Sequence, residues 1–289
     1  MNFTHQKEIM LSYRHSYHAG NFADVLKHSV LIHIIEHLKK KQKPFCYVDT
    51  HAGAGSYSLN SEQAEKTQEY LQGIAKIWQA DNLPPAIAAY VNVIKAFNID
   101  ATLNRYPGSP MIARHLLRPQ DRIFLYELHN TEVEILCQSV NKDKRVQVIH
   151  KDGFKQSLSI MPPQQRRGLV LIDPSYEIKT EYKQVLETII QLHQRFSTGT
   201  YALWYPVVER QRIDELERKI LASPLRNVQL FELAQRADSD GQGMTASGVV
   251  VVNPPWTLYA EMQQALPYLA ENLGLVNQGA YRIRQLKDE

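Results

Sequence analysis

Asp173-Pro174-Ser175-Tyr176 closes the apolar run Leu169-Val-Leu-Ile172, and these four residues could do chemistry on an amino group. An amino nitrogen attached to an aromatic ring is a poor nucleophile, because its lone pair is delocalised into the ring. Groups that accept hydrogen bonds from its two N–H protons localise that pair and aim it. The Asp173 carboxylate and the Pro174 carbonyl are two such acceptors, and Pro174 stiffens the turn. Tyr176 offers a ring on which a base splayed out of its helix could stack. Preorganised polar groups of this kind supply much of the rate in such reactions. The plain alternative is a strand-terminating Asp-Pro turn. A second stretch, Pro44-Phe-Cys-Tyr-Val-Asp49-Thr-His-Ala-Gly53-Ala-Gly55-Ser56, is an apolar strand opening into a loop with two glycines. Such a loop brings backbone N–H groups close to a nucleotide. The dinucleotide fingerprint G-x-G-x-x-G is not met, because Ser58 stands third after Gly55.

Those residues must be positioned by strands. Short apolar, β-branched and aromatic runs predict strands at 45–48, 122–128, 145–149, 169–172, 201–207, 227–233 and 248–252. Helical patterns separate them, at about 23–41, 131–140, 179–196, 209–222 and 258–273. Asn21 is placed to cap the first helix, whose periodic Val25, Leu26, Ile32, Ile35 and Leu38 approximate one apolar face. Ser109 is expected to cap the helix that follows Tyr106-Pro-Gly-Ser-Pro, with Pro110 at its first position. Seven strands interleaved with helices predict an α/β fold with a doubly wound, mostly parallel seven-stranded sheet. Residues 60–107 carry only helical patterns and are too long for an ordinary βα connection. The chain therefore reads as one domain, 1–59 with 108–289, interrupted by a helical insertion at 60–107. The polar loop 238–245 is expected to be mobile, and the tail 278–289 carries no clear pattern.

Other motifs compete. His33-Ile-Ile-Glu36-His37 fits the H-x-x-E-H pattern of some zinc peptidases, but no third ligand can be assigned. A solvated helix face explains it, and no metal is expected. Asn253-Pro254-Pro255-Trp256 fits the acceptor pattern of residues 173–176 more cleanly, yet it follows the seventh strand, not the fourth. It reads as a turn into the final helix. Tyr13-Arg14-His15-Ser-Tyr17-His18 is dense in groups that stack on bases and contact phosphate. The 289 residues carry a formal net charge of +3 with 22% charged side chains, which permits a nucleic-acid partner without requiring one. The two cysteines, Cys46 and Cys137, read as isolated thiols. No apolar run reaches 18 residues and no signal peptide is read, so a cytoplasmic protein without a membrane anchor is expected.

Asp49-x-x-x-Gly53-x-Gly55 is similar to the first motif of class I methyltransferases, which bind S-adenosylmethionine (AdoMet). Asp173-Pro-Ser-Tyr176 is similar to the D-P-P-Y motif of the amino-group methyltransferases, with Ser175 where the second Pro would stand. With Leu11-Ser-Tyr-Arg-His-Ser-Tyr-His-Ala-Gly-Asn21, Ala23-Asp-Val-Leu-Lys-His28, Ala202-Leu-Trp-Tyr-Pro-Val207 and Gly243-Met-Thr-Ala-Ser-Gly248, nearly the whole chain resembles the RlmJ family of 23S ribosomal RNA adenine-N6 methyltransferases. The resemblance implies a Rossmann-like class I fold with a helical insertion. It implies transfer of one methyl group from AdoMet to N6 of a single adenine in naked or partly assembled 23S RNA. No obligatory protein partner is expected, and the chain would act as a monomer. Asp173 would be catalytic, with Pro174 and Tyr176. His28, His51, Gly53, Gly55, Ser109, Glu127, Asp152, Gly153 and Asp173 itself would surround the cofactor. Tyr13, Arg14, His15 and Lys27 would meet the RNA. The alternatives are a DNA-adenine or protein-amide methyltransferase, or an inactive RNA-binding assembly factor.

Overall fold

The computed structural model describes residues 14–177, 180–239 and 243–289, the side chain of Ala101 excepted. Tyr13 lies outside the described residues, as do residues 240–242 of the predicted polar loop.

Helix α1 (Phe22–Lys39) begins where the Asn21 side chain accepts the Asp24 N–H at 3.0 Å, satisfying one orphan donor of the first turn. Strand β1 (Cys46–Asp49) is buried at every residue. The short strands β2 (Ser56–Ser58) and β3 (Arg105–Pro107) form an antiparallel ladder apart from the main sheet. Between them lie α2 (Glu62–Thr67), α3 (Ile74–Ile77) and α4 (Pro85–Lys95). The chain then alternates: α5 (Ser109–Leu116), β4 (Arg122–Tyr126), α6 (Asn130–Val140), β5 (Val146–Ile149), α7 (Gly153–Gln156), β6 (Gly168–Ile172), α8 (Glu181–Arg195), β7 (Thr200–Val207) and α9 (Arg210–Ala222). It ends with β8 (Val228–Ala234), β9 (Ala246–Val252), α10 (Leu258–Leu273) and β10 (Ala280–Lys287).

The main sheet runs β10-β8-β9-β7-β6-β1-β4-β5. From β5 to β7 the strands are parallel, whereas β9 and β10 pair antiparallel to their neighbours. The sheet therefore has eight strands and is mixed, a correction to the seven expected. The added strand is β10, in the tail that carried no clear pattern. It lies at the sheet edge, and only Leu286 along it is buried. Its Arg282 and Arg284 instead meet Glu217 at 2.7 and 2.8 Å. Strand order reverses between β1 and β6, so their carboxyl ends open a crevice at the switch point, where α/β sheets receive ligands.

A second correction concerns α1. It does not present one apolar face to the core and one to water: every residue from Phe22 to Ile32 is buried. Helices α4, α5 and α10 and strand β9 surround it. Ile74, Ile77, Ile87, Tyr90 and Ile94 from residues 60–107 join Leu26, Val30, Ile34 and Leu266 in one hydrophobic cluster. No helix among the described residues is long and apolar enough to cross a membrane.

Candidate active site

A cleft of about 1590 Å³ opens at the carboxyl ends of β1 and β6. Behind its lining residues His51 and Ser109 lies Asp49. The Asp49 carboxylate, fully buried, accepts from Ser109 Oγ at 2.6 Å, Tyr47 Oη at 2.8 Å and the His51 N–H at 3.2 Å. Burial pushes its pKa up to about 6 against these donors. Ser109 thus corrects the expectation that it caps α5. It is the first helical residue after Gly108, and its hydroxyl is spent on Asp49.

After β1 the chain turns through Gly53 at φ 60° and Gly55 at φ 80°, a region that favours glycine. The Gly53 N–H donates to Glu127 Oε2 at 2.7 Å, and the His129 N–H donates to Glu127 Oε1 at 2.7 Å. Burial raises the Glu127 pKa against these donors, and the carboxylate lines the cleft. Asp152 caps α7, accepting the Phe154 N–H at 3.0 Å. A Cβ on Gly153 would stand 2.0 Å from the Thr50 carbonyl oxygen, so only glycine lets α7 sit against the end of β1. His51 lies edge-on to Phe154, with ring centroids 4.5 Å apart, and burial lowers its pKa to about 4. His28 shares a 2.7 Å hydrogen bond between Nδ1 and Tyr106 Oη, while its buried Nε2 has no partner. Burial lowers the His28 pKa to about 3, so it stands neutral.

At the other end of the cleft, Asp173 follows β6. Lys27 Nζ donates to Asp173 Oδ2 at 2.6 Å and lies 2.9 Å from Asp24 Oδ1. Burial opposes the Lys27 charge, but the two carboxylates prevail and raise its pKa. The ammonium also sits 5.5 Å from the centroid of the Trp204 ring. Tyr176, at φ 56°, donates its hydroxyl to the Trp204 carbonyl at 2.7 Å. Its ring lies 4.5 Å from that of Tyr182. Asn253 is elsewhere. Because β9 is antiparallel, Val252 pairs with Tyr201, at the opposite end of β7 from the cleft. Asn253 Nδ2 there donates to the Ser197 and Gly199 carbonyls at 2.7 and 2.8 Å.

Residues 42–286 match the family model described as "Ribosomal RNA large subunit methyltransferase D, RlmJ". The chain belongs to the RlmJ family. It is 55% identical over 264 residues to the Ribosomal RNA large subunit methyltransferase J of Escherichia coli K12, covering 91% of this chain and 94% of that protein. The Haemophilus influenzae protein of the same name is 50% identical over 281 residues, covering 97% of this chain and 100% of that protein. The crystal structure of protein LPL1258 from Legionella pneumophila superposes with a TM-score of 0.87 at 39% identity, covering 93% of this chain and 98% of that one. The chain is therefore a ribosomal RNA large-subunit methyltransferase.

Within this RlmJ-family fold, the cleft gathers Asp173, Pro174, Tyr176, Lys27, His28, His51, Gly53, Ser109, Glu127, Asp152, Gly153 and His15. Gly55 stands behind it, its carbonyl accepting the Gly108 N–H at 2.8 Å. Arg14 is exposed and outside the lining. Among the lining residues without an expected role are Asp24 and Trp204. Asp24 looks in sequence like any acidic residue in a first helical turn. Trp204 sits inside a strand, where an aromatic side chain ordinarily reads as core. The helix face of His33, Glu36 and His37, expected to be solvated, is part-buried. His33 Nε2 meets Thr257 Oγ1 at 2.9 Å, and His37 Nδ1 is buried. Among the described residues no group of three or more metal-binding side chains is assembled.

Proposed function

We propose that this chain transfers a methyl group from AdoMet to N6 of a specific adenine in 23S ribosomal RNA. The observation that carries the reading is that the turn Asp173-Pro174 and the Gly53 loop, from strands 1 and 4 of the parallel set, open into one cleft at the switch point. The cleft also fits the cofactor by the chemistry of its walls. The His28 Nε2 is buried and unpaired, and the Glu127 carboxylate, an acceptor, lines the same cleft. A ligand carrying both polar and hydroxyl groups would satisfy them. When bound, AdoMet supplies an electrophilic sulfonium methyl. Glu127 would accept ribose hydroxyls, Asp152 would accept from the adenine amino group, and the neutral His28, His51 and Gly153 would line the remainder.

The target base is extruded into the cleft beside Tyr176 and Trp204. Asp173 and the Pro174 carbonyl accept the two amino protons, which restores nucleophilicity to N6 and fixes its direction. Ser175 leaves that carbonyl in place. The amino group loses one proton on methylation, and Asp173 is the carboxylate positioned to receive it. Tyr13, Arg14 and His15 would grip the RNA beside Lys27. We read residues 60–107 as an insertion into the catalytic domain, and the protein as a cytoplasmic monomer acting on naked or partly assembled RNA. The test is a pair of variants. Asp173→Ala should lose methyl transfer and keep AdoMet affinity, while Asn253→Ala should keep transfer. The reverse pattern would move the active site to the other end of the sheet.

A further inference from the structure

Asp24 is 1% exposed and lies in the first turn of α1, yet its role extends beyond that turn. Its Oδ2 pairs with His15 Nε2 at 2.8 Å and accepts the Gly20 N–H at 2.9 Å. Its Oδ1 stands 2.9 Å from Lys27 Nζ, one helical turn on. That same ammonium is 2.6 Å from Asp173 Oδ2. One cation is thus shared by two carboxylates, one from α1 and one from the end of β6. The sharing decides where the ammonium stands. With Asp173 as its sole anionic partner, a buried ammonium would settle fully on that carboxylate, occupying acceptor positions the substrate amino group needs. With Asp24 pulling along the helix axis, Lys27 touches one oxygen of Asp173.

Asp24 is itself held. Its N–H donates to Asn21 Oδ1 at 3.0 Å, and Asn21 Nδ2 donates to Glu69 Oε2 at 2.9 Å. Glu69 belongs to residues 60–107, and its other oxygen meets His18 Nδ1 at 2.9 Å. The backbones are also locked. Ile74 N–H donates to the Gly20 carbonyl at 2.9 Å, and a Cβ on Gly73 would fall 2.1 Å from that same oxygen. A continuous chain of contacts therefore runs from Glu69 through Asn21, Asp24 and Lys27 to Asp173.

We propose that Asp24 is a positioning residue of the methyl-transfer site, fixing Lys27 against one oxygen of Asp173. The inference rests on the role proposed for Asp173, so the experiment measures Asp173→Ala alongside. Asp24→Asn keeps the size and one acceptor oxygen of this side chain and removes its charge. The expected result is a loss of kcat on the order of tenfold, with KM for RNA and AdoMet affinity changed by less than about threefold. In a Lys27→Met background, Asp24→Asn should lower kcat by less than about twofold more, because a residue acting through Lys27 has nothing left to act on. Asp24→Glu, which keeps the charge but moves the carboxylate, should also lower kcat, and it serves if the Asn variant does not fold. Full activity of a folded Asp24→Asn or Asp24→Glu enzyme, with Asp173→Ala inactive, would overturn this inference alone. An active Asp173→Ala would overturn the reading of the site beneath it. Independent losses in the double variant would make Asp24 a structural residue and not a positioning one.

Discussion

Lys27→Met tests whether the buried charges at the base of the cleft stabilise the fold as the geometry requires. The substitution keeps an unbranched stem of similar length and deletes an ammonium standing 2.6 Å from Asp173 and 2.9 Å from Asp24. Lys27 is 5% and Asp24 1% exposed, so the pair is largely removed from water. Breaking a buried pair by removing one member costs about 3–5 kcal/mol. His15 and the Gly20 N–H still face Asp24 and favour the lower end. Unfolding entropy of about 2.1 cal/mol/K per residue gives about 0.6 kcal/mol/K for a chain of this length, so Tm should fall by about 5–8 °C at pH 7.5. The pH dependence has a definite sign. In the parent protein the raised Lys27 pKa contributes stability that is fully present below the ordinary lysine value, and is lost only as pH rises through the raised one. In the parent the His15 and Lys27 charges hold the Asp24 carboxyl well below the usual carboxylate range against its burial; in the variant it loses the lysine cation, its folded pKa rises, and the deficit should shrink toward pH 5. Calorimetry at the two pH values reads both effects. A Tm within 1 °C of the parent, or a deficit that does not shrink in acid, would refute the reasoning.

Three further outcomes follow from the same geometry. Gly153→Ala places a Cβ 2.0 Å from the Thr50 carbonyl and must push α7 and Asp152 away from β1, so AdoMet affinity measured by titration calorimetry should fall by about tenfold or more. Asn253→Ala loses hydrogen bonds to the Ser197 and Gly199 carbonyls at a residue with φ 51°, so urea denaturation should show a loss of about 2–4 kcal/mol with methyl transfer intact at 25 °C. Burial holds His28 at about 3 and His51 at about 4, so the unfolded chain takes up protons that the folded one refuses, and stability falls as pH drops below the ordinary histidine value. Asp49, raised to about 6, works the other way, losing stability as pH rises from about 4 through 6. The two histidines should prevail, giving a lower urea midpoint at pH 5.5 than at pH 7.5, with the difference reduced in His28→Gln.

The central parallel strands β1 and β6 were legible because they are buried on both faces and read as continuous apolar runs, as in Leu169–Ile172. Helix α10 was legible to the residue, from periodicity and the preceding Pro-Pro turn. The edge strand β10 was not, since its outward residues are polar and its arginines bind Glu217 across the chain. The environment of α1 was also hidden. Periodicity can report one buried face, but it cannot report that α4, α5 and α10, from distant parts of the chain, cover the others. In the candidate site, Asp49, Gly53 and Asp173 could be read from the residues because they end a strand or lie in the loop after it, whereas Glu127 and Asp152 were implied by the family resemblance. Asp24 could not be read, because its meaning lies in a contact 149 positions away, through Lys27. Ser109 showed the limit of local rules. Its place after Gly108 suits a cap, and the nearby buried Asp49 takes its hydroxyl instead.

The most direct test is transfer from methyl-labelled AdoMet to protein-free 23S RNA, 16S RNA and genomic DNA from cells lacking the enzyme, followed by digestion to nucleosides. Label in N6-methyladenosine from 23S RNA alone is the predicted result. Label in DNA, or in any nucleoside other than N6-methyladenosine, would contradict it.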